Sequence, residues 1–276
     1  MTKHALSRLL VISLALLCGC KKDNDPPKDP EDNIPQYQLK AITWDNGLKG
    51  DFVYNNENNL QQIDYTFQNV SGRTVFGWSG KTFTEMYDDR SMFKNTYEYD
   101  TDGKLIRLRN IPRNGNMPGE YRFEFHYNAA KQIDTLRYLT INEAGIKPKW
   151  VSGYEYNSNG DLLKVTTTYD NTVITHTIDA WSPPASFVPC HYIETTMSEN
   201  YVIYNLGIMS YLQKHHKLPS KVTRVVKTGA EPEYVDKIEE QIFTVNNYRI
   251  EKVNTTISYP GMPGYGNKVE AVYSYY

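Results

Sequence analysis

Several groups of residues in this chain have types that can do chemistry. His215-His216 with Cys190-His191 carries nitrogen and sulfur donors for a metal ion. A structural zinc site takes four ligands, usually in spaced pairs. Adjacent histidines on a helix point about 100° apart, so this pair reads as a solvated helix end and no metal is expected. Asp100-Thr101-Asp102-Gly103 opens like a calcium loop, but the bidentate Glu such a loop needs is absent at the right offset. It reads as a turn. Trp44, Trp78, Trp150 and Trp181, with the tyrosines between Tyr259 and Tyr276, are the aromatics that could offer flat faces to sugar rings. The four tryptophans are the candidate glycan-stacking residues, set against the general tendency of large aromatics to bury. Carboxylates are plentiful, and two could meet across a cleft to cut a glycosidic bond, but no sequence feature promotes a pair. No Gly-x-Ser-x-Gly elbow, phosphate loop, His-Glu-x-x-His or dinucleotide fingerprint occurs. No catalytic residue and no cofactor are expected, and the chain does not read as an enzyme.

The remaining chemistry-bearing residue is Cys20. Lys3, His4 and Arg8 precede an apolar run from Leu9 to Cys18. That run is shorter than the roughly 20 residues needed to span a bilayer and suits the core of a cleaved export signal. It ends Leu17-Cys18-Gly19-Cys20, which resembles the lipobox of bacterial lipoproteins. The resemblance implies that Cys20 is acylated and becomes the new N-terminus, and that residues 1–19 leave as a signal peptide. Several acyl chains, at about 0.8 kcal/mol per buried CH₂, hold a protein stably on a membrane. Residues 20–36 follow as a tether rich in proline and charge (Asp23, Asp25, Asp29, Glu31 and Asp32 among them). Such a segment buries too little to offset its ordering entropy. Its acidic character resembles the surface-export signal of Bacteroidetes lipoproteins, which implies an outer-membrane anchor and favours the cell surface over the periplasmic face.

Loss of the signal removes Lys3 and Arg8 from the 30 basic residues and none of the 32 acidic ones, so the formal charge moves from −2 to −4. No basic excess steers the chain to nucleic acid. Cys190 is then the one cysteine left in the folded body, so no internal disulfide is expected. Tyrosine, at 23 copies, is the outlier, and it suits pleated, half-buried surfaces.

A local pattern recurs through the body. Two aromatics separated by one residue precede Asn or Asp, then a polar turn, then an aliphatic residue and another three further on. Phe52-Val53-Tyr54-Asn55 leads to Leu60 and Ile63, and Tyr97-Glu98-Tyr99-Asp100 through Gly103 to Leu105 and Leu108. Phe125-His126-Tyr127-Asn128 leads to Ile133 and Leu136, and Tyr154-Glu155-Tyr156-Asn157 through Gly160 to Leu162 and Val165. A shortened copy runs from Phe243 to Val253. Alternation puts the paired aromatics on one face. The Asn or Asp starts a turn, and glycine supplies the left-handed residue. Each copy reads as a β-hairpin. Tyr138–Ile141 and Thr166–Tyr169 read as strands between copies.

These copies resemble the YD repeats of the RHS family, with core Tyr-x-Tyr-Asp-x-x-Gly-x-Leu, and a group of Bacteroidetes lipoproteins of unknown function. The resemblance implies an all-β fold of antiparallel hairpin repeats forming a large twisted, curled sheet. Residues 37–276 are expected to form a single domain. Prolines at 183, 184 and 189 break the strand pattern, and an insertion at about 181–220 is expected to carry a short helix over 205–216, capped by Asn205 and ended by Pro219. Lys221–Thr228 then returns to strand. Asp134-Thr135-Leu136 resembles a Bacteroidetes O-glycan acceptor site.

The leading functional expectation is a non-catalytic binding or interaction scaffold of the envelope, held on the membrane by its lipid, with a glycan or another envelope protein as partner. A glycan-binding accessory of polysaccharide uptake is the second reading. A carboxylate-dependent glycoside hydrolase is the third.

Overall fold

The computed structural model describes residue 35 and residues 37–113, 119–186 and 217–276. The predicted signal, Cys20, nearly all of the tether and the predicted helix over 205–216 lie outside these residues. Sixteen strands make up the body: β1 (Leu39–Trp44), β2 (Leu48–Tyr54), β3 (Leu60–Phe67), β4 (Val70–Ser79), β5 (Thr82–Asp88), β6 (Phe93–Tyr99), β7 (Leu105–Pro112) and β8 (Glu120–Tyr127). They continue as β9 (Ile133–Asn142), β10 (Gly145–Tyr156), β11 (Leu162–Tyr169), β12 (Thr172–Trp181), β13 (Pro219–Thr228), β14 (Tyr234–Asn246), β15 (Arg249–Ser258) and β16 (Asn267–Tyr275). Each pairs antiparallel with its sequence neighbours, and β1 pairs with β16, so the sheet is a closed barrel.

This corrects the expected large twisted, curled sheet of hairpin repeats. A closed sheet has no unpaired edge. The seam runs through Ile42↔Tyr273 and Trp44↔Ala271, a pairing between chain ends that no local hairpin pattern reveals.

The hairpins themselves form where the aromatic pairs placed them. Asp100 starts its turn by accepting the backbone amides of Asp102 and Lys104 at Oδ1 (3.0 and 2.8 Å), so the supposed calcium ligand is spent on the turn. Asn157 does the same for Asn159 and Asp161. The fourth loop residue is left-handed in the four full copies: Gly103 (φ 77°) and Gly160 (φ 88°), but Asn58 (φ 64°) and Lys131 (φ 63°) where glycine is missing.

The three-residue spacing of the aliphatics has a structural cause. In a regular strand, residues three apart face opposite sides. Here a register shift follows the first aliphatic of each copy, opposite Val53/Tyr54, Glu98/Tyr99, His126/Tyr127, Glu155/Tyr156 and Thr244/Val245. One extra residue per bulge returns the second aliphatic to the interior. Leu60, Ile63, Leu105, Leu108, Ile133, Leu136, Leu162, Val165, Ile250 and Val253 are all buried as a result.

The tyrosines bind copy to copy. Tyr127 donates its hydroxyl to the carbonyl of Leu105 (2.7 Å), Tyr156 to Ile133 (2.7 Å) and Tyr275 to Ile250 (3.0 Å). Trp78 Nε1 takes the same place toward Leu60 (2.7 Å). Each bond joins adjacent strands at the end where no turn connects them, and satisfies a polar tip that burial would otherwise strand.

Candidate functional site

The barrel has two unlike ends. The hairpin end carries the repeat turns, and its interior is packed by the repeat aliphatics and by Phe52, Tyr97, Phe125 and Tyr154. Ser182 to Ser186 crosses this end: the Ser182 amide donates to Leu218 and the Ser186 amide to Tyr248, with Ala185 fully buried. At the opposite end, the mouth, inward-facing residues open to solvent. Phe67 and Val70 are paired there, as are Tyr169 and Thr172, Asn110 and Tyr121, and Val226 and Tyr234. Phe67, Val70, Tyr121, Tyr169 and Tyr234 are all exposed, although register turns each toward the interior. Mouths of barrels are common ligand sites.

Between the ends, the inner wall of β12 to β14 carries charge. His176, Arg224 and Lys237 stand in one row across these strands. Arg224 donates to Asp236 through Nε and Nη2. Lys237 Nζ lies 3.3 Å from Glu239, which also accepts from Gln241 Nε2 at 2.7 Å. The inward carboxylates Asp236 and Glu239 are thus engaged by cations, and Asp88, on β5, accepts the Tyr65 hydroxyl at 2.5 Å. Tyr65 lies so close over Gly72 that a Cβ there would meet its hydroxyl at 2.2 Å. Burial, then the bond to Asp88, pushes the Tyr65 hydroxyl up to about 12.

His176 is 1% exposed. Burial, then the charges of Arg224 and Lys237, push its imidazole down from 6.5 to about 3. The unfolded imidazole takes up a proton below about 6.5, while the folded one stays neutral until about 3. Stability is therefore whole above pH 6.5 and drains as pH falls toward 3, at about 1.4 kcal/mol per pH unit. Unfolding in denaturant at pH 7.5 and pH 5 should show it: a His176→Gln chain is expected to lose about 2 kcal/mol less than the native chain over that interval.

The four tryptophans are dispersed. Trp44 is buried in the core. Trp78 is partly buried against Phe83, with ring centroids 5.1 Å apart, and Trp181 is partly buried at the hairpin end, where it pairs with Pro219. Trp150 stands on the inner wall beside Tyr138 (5.2 Å) and Phe123 (6.0 Å). Register places these three in one row, with Tyr121 one step nearer the mouth and stacked on Tyr138 at 6.0 Å and 17°. Tyr121 was not singled out in the sequence. Its signal was the alternation Tyr121-x-Phe123-x-Phe125, three aromatics on one face of β8.

Among the described residues, no cluster of His, Cys, Asp and Glu could hold a metal ion. Cys190, His191, His215 and His216 lie outside them.

The outer wall is charged at mid-strand. Arg107 pairs with Glu98 (2.6 Å), Arg109 with Glu120 (2.6 Å), and Arg122 with Glu120 (2.7 Å), across β6 to β8. The two hydrogen bonds from Arg109 and Arg122 pull the Glu120 carboxyl below its usual range against the opposing effect of burial. Lys94–Glu85, Arg73–Asp64, Lys49–Asp51, Lys252–Glu270, Lys221–Glu240 and Lys164–Glu155 continue the pattern around the barrel. A lipid-facing barrel carries an apolar band about 25 Å tall, and a Lys or Arg at its midplane costs roughly 2–4 kcal/mol.

Two solved structures share the fold. A porin-like protein from Bacteroides uniformis matches with a TM-score of 0.54 at 13% identity, over 88% of this chain and 99% of that one. A porin-like protein from Bacteroides vulgatus matches with a TM-score of 0.55 at 10% identity, over 87% and 99%. At such identities the likeness is one of fold. No protein-family model matches the sequence, and no curated protein does.

Proposed function

We propose that this chain is a lipid-anchored, non-catalytic binding protein of the outer membrane, whose barrel stands in water rather than in lipid. The observation that carries this reading is the ion-paired outer wall, taken with the signal and lipobox ending at Cys20. A barrel whose wall cannot enter the bilayer needs another attachment, and acylation at Cys20 supplies one. The fold shared with porin-like proteins of Bacteroides supports an envelope setting. The engagement of Asp88, Asp236 and Glu239 by neighbours supports binding over hydrolysis.

Strand β1 begins at the hairpin end, and the mouth lies at the far end of the barrel. The acidic tether favours the cell surface.

Growth of the native host with an alkynyl palmitate is the test. Label is expected on the native chain and lost in Cys20→Ala. Mass spectrometry finding Cys20 unmodified would remove the anchor, and survival of the protein on intact cells treated with protease would remove the surface assignment.

A further inference from the structure

We propose that the inner wall of β6 to β10 beside the mouth is a subsite for a neutral oligosaccharide, with Tyr121 as its stacking platform. This rests on the reading of the barrel as a water-standing binding protein.

The geometry of two neighbouring rows carries it. In the deeper row, Leu108, Phe123, Tyr138 and Trp150 are register partners. The last three form an aromatic floor, with Phe123 and Tyr138 stacked at 4.8 Å. The row nearer the mouth runs Asn95, Asn110, Tyr121, Thr140 and Lys147. Tyr121 is 43% exposed while turned inward, and it is held on two sides, by Tyr138 at 6.0 Å and Phe93 at 6.5 Å. An aromatic that stays open to solvent inside a concave wall, and is fixed by its neighbours, is a preformed surface for the apolar C–H face of a sugar ring.

Its flanks supply the complementary polarity. Asn110 Nδ2 donates to Asn95 Oδ1 at 2.8 Å. That bond leaves the carbonyl oxygen of Asn110, which is half-buried, to other partners, while Asn95 itself is buried and holds Asn110 in place. On the other side of Tyr121 the Thr140 hydroxyl donates to the Lys147 carbonyl at 3.4 Å, which leaves its oxygen as an acceptor. An amide oxygen and a hydroxyl oxygen at the edges of a ring platform match a ring with hydroxyls at its rim. The row holds the single cation Lys147, which suits a neutral saccharide better than a polyanion.

The test uses the whole lipidated chain in detergent and a panel of neutral gluco-, manno-, galacto- and xylo-oligosaccharides of four to six units, with an oligouronate as the charged control. One or more neutral members should bind. Tyr121→Ala should weaken that binding at least tenfold, and Tyr121→Phe should stay within about threefold. Nitration of Tyr121 in the native chain, read by mass spectrometry, should slow when the bound saccharide is present, a readout that needs no variant to fold. Retention of none of the neutral panel, binding of the oligouronate alone, or unchanged Tyr121 nitration would overturn the proposal. Palmitate labelling is independent of all three, so loss of the subsite and loss of the anchor are told apart.

Discussion

Residues 21–276 produced without the leading segment are expected to stay in solution as a monomer in detergent-free buffer and to remain in the aqueous phase of a Triton X-114 partition. A barrel built for lipid would aggregate under the same conditions, because its outward apolar band would meet water. Here the outward positions include Lys49, Asp64, Arg73, Glu98, Arg107, Arg122, Glu240 and Lys252, and most are paired across strands. Such surface pairs contribute little stability, about 0–1 kcal/mol each. Their weight lies in what they forbid: at roughly 2–4 kcal/mol per cation at the midplane, several together exceed the stability of an ordinary domain. Sedimentation velocity would show a single species of monomer mass; oligomeric heterogeneity relieved only by detergent would contradict it.

A second large effect is expected at Leu136. This side chain is fully buried at the second aliphatic position of its copy, where the bulge turns it inward. Leu136→Ala should destabilise the chain by about 2–5 kcal/mol through lost burial and the cavity left behind. On the outer face, Ile242 is 70% exposed, and Ile242→Lys should change stability by no more than about 0.5 kcal/mol. A wall in lipid would raise the Ile242→Lys cost to as much as roughly 2–4 kcal/mol. Urea unfolding of the three chains at one pH decides it, provided the slopes stay equal.

The hairpins were legible because their information is local. Tyr97 to Leu108 contains its own alternation, its Asp100 turn and its left-handed Gly103. The bulges were visible too, as aliphatics three apart in segments otherwise patterned as strand, though the spacing had no structural meaning until register was known. Closure was not legible, because Ile42 meets Tyr273 only when every intervening strand is in place. The sidedness of β14 was hidden for another reason. Ile238 and Ile242 alternate with Lys237, Glu239 and Gln241, and hydrophobicity alone would turn the isoleucines inward; the structure turns the charged set inward, where Arg224 and His176 stand beside it. At the mouth, Tyr121 carried an alternation signal, but its exposure depends on position along the barrel axis, which a single strand does not encode.

The seam between the first and last strands has a consequence for biogenesis. The Ser274 hydroxyl reaches the carbonyl of Ala41 across 233 positions, and the Tyr276 amide donates to Gln38. Pairings so distant in the chain are slow to find, because the intervening loop must close before any contact rewards it. The ring cannot be sealed until residue 275 has been delivered, so a chain that appears from its N-terminus holds hairpins with an unmade joint. During that interval β1 is a bare edge open to wrong partners, and pairing with the last strand is what removes it.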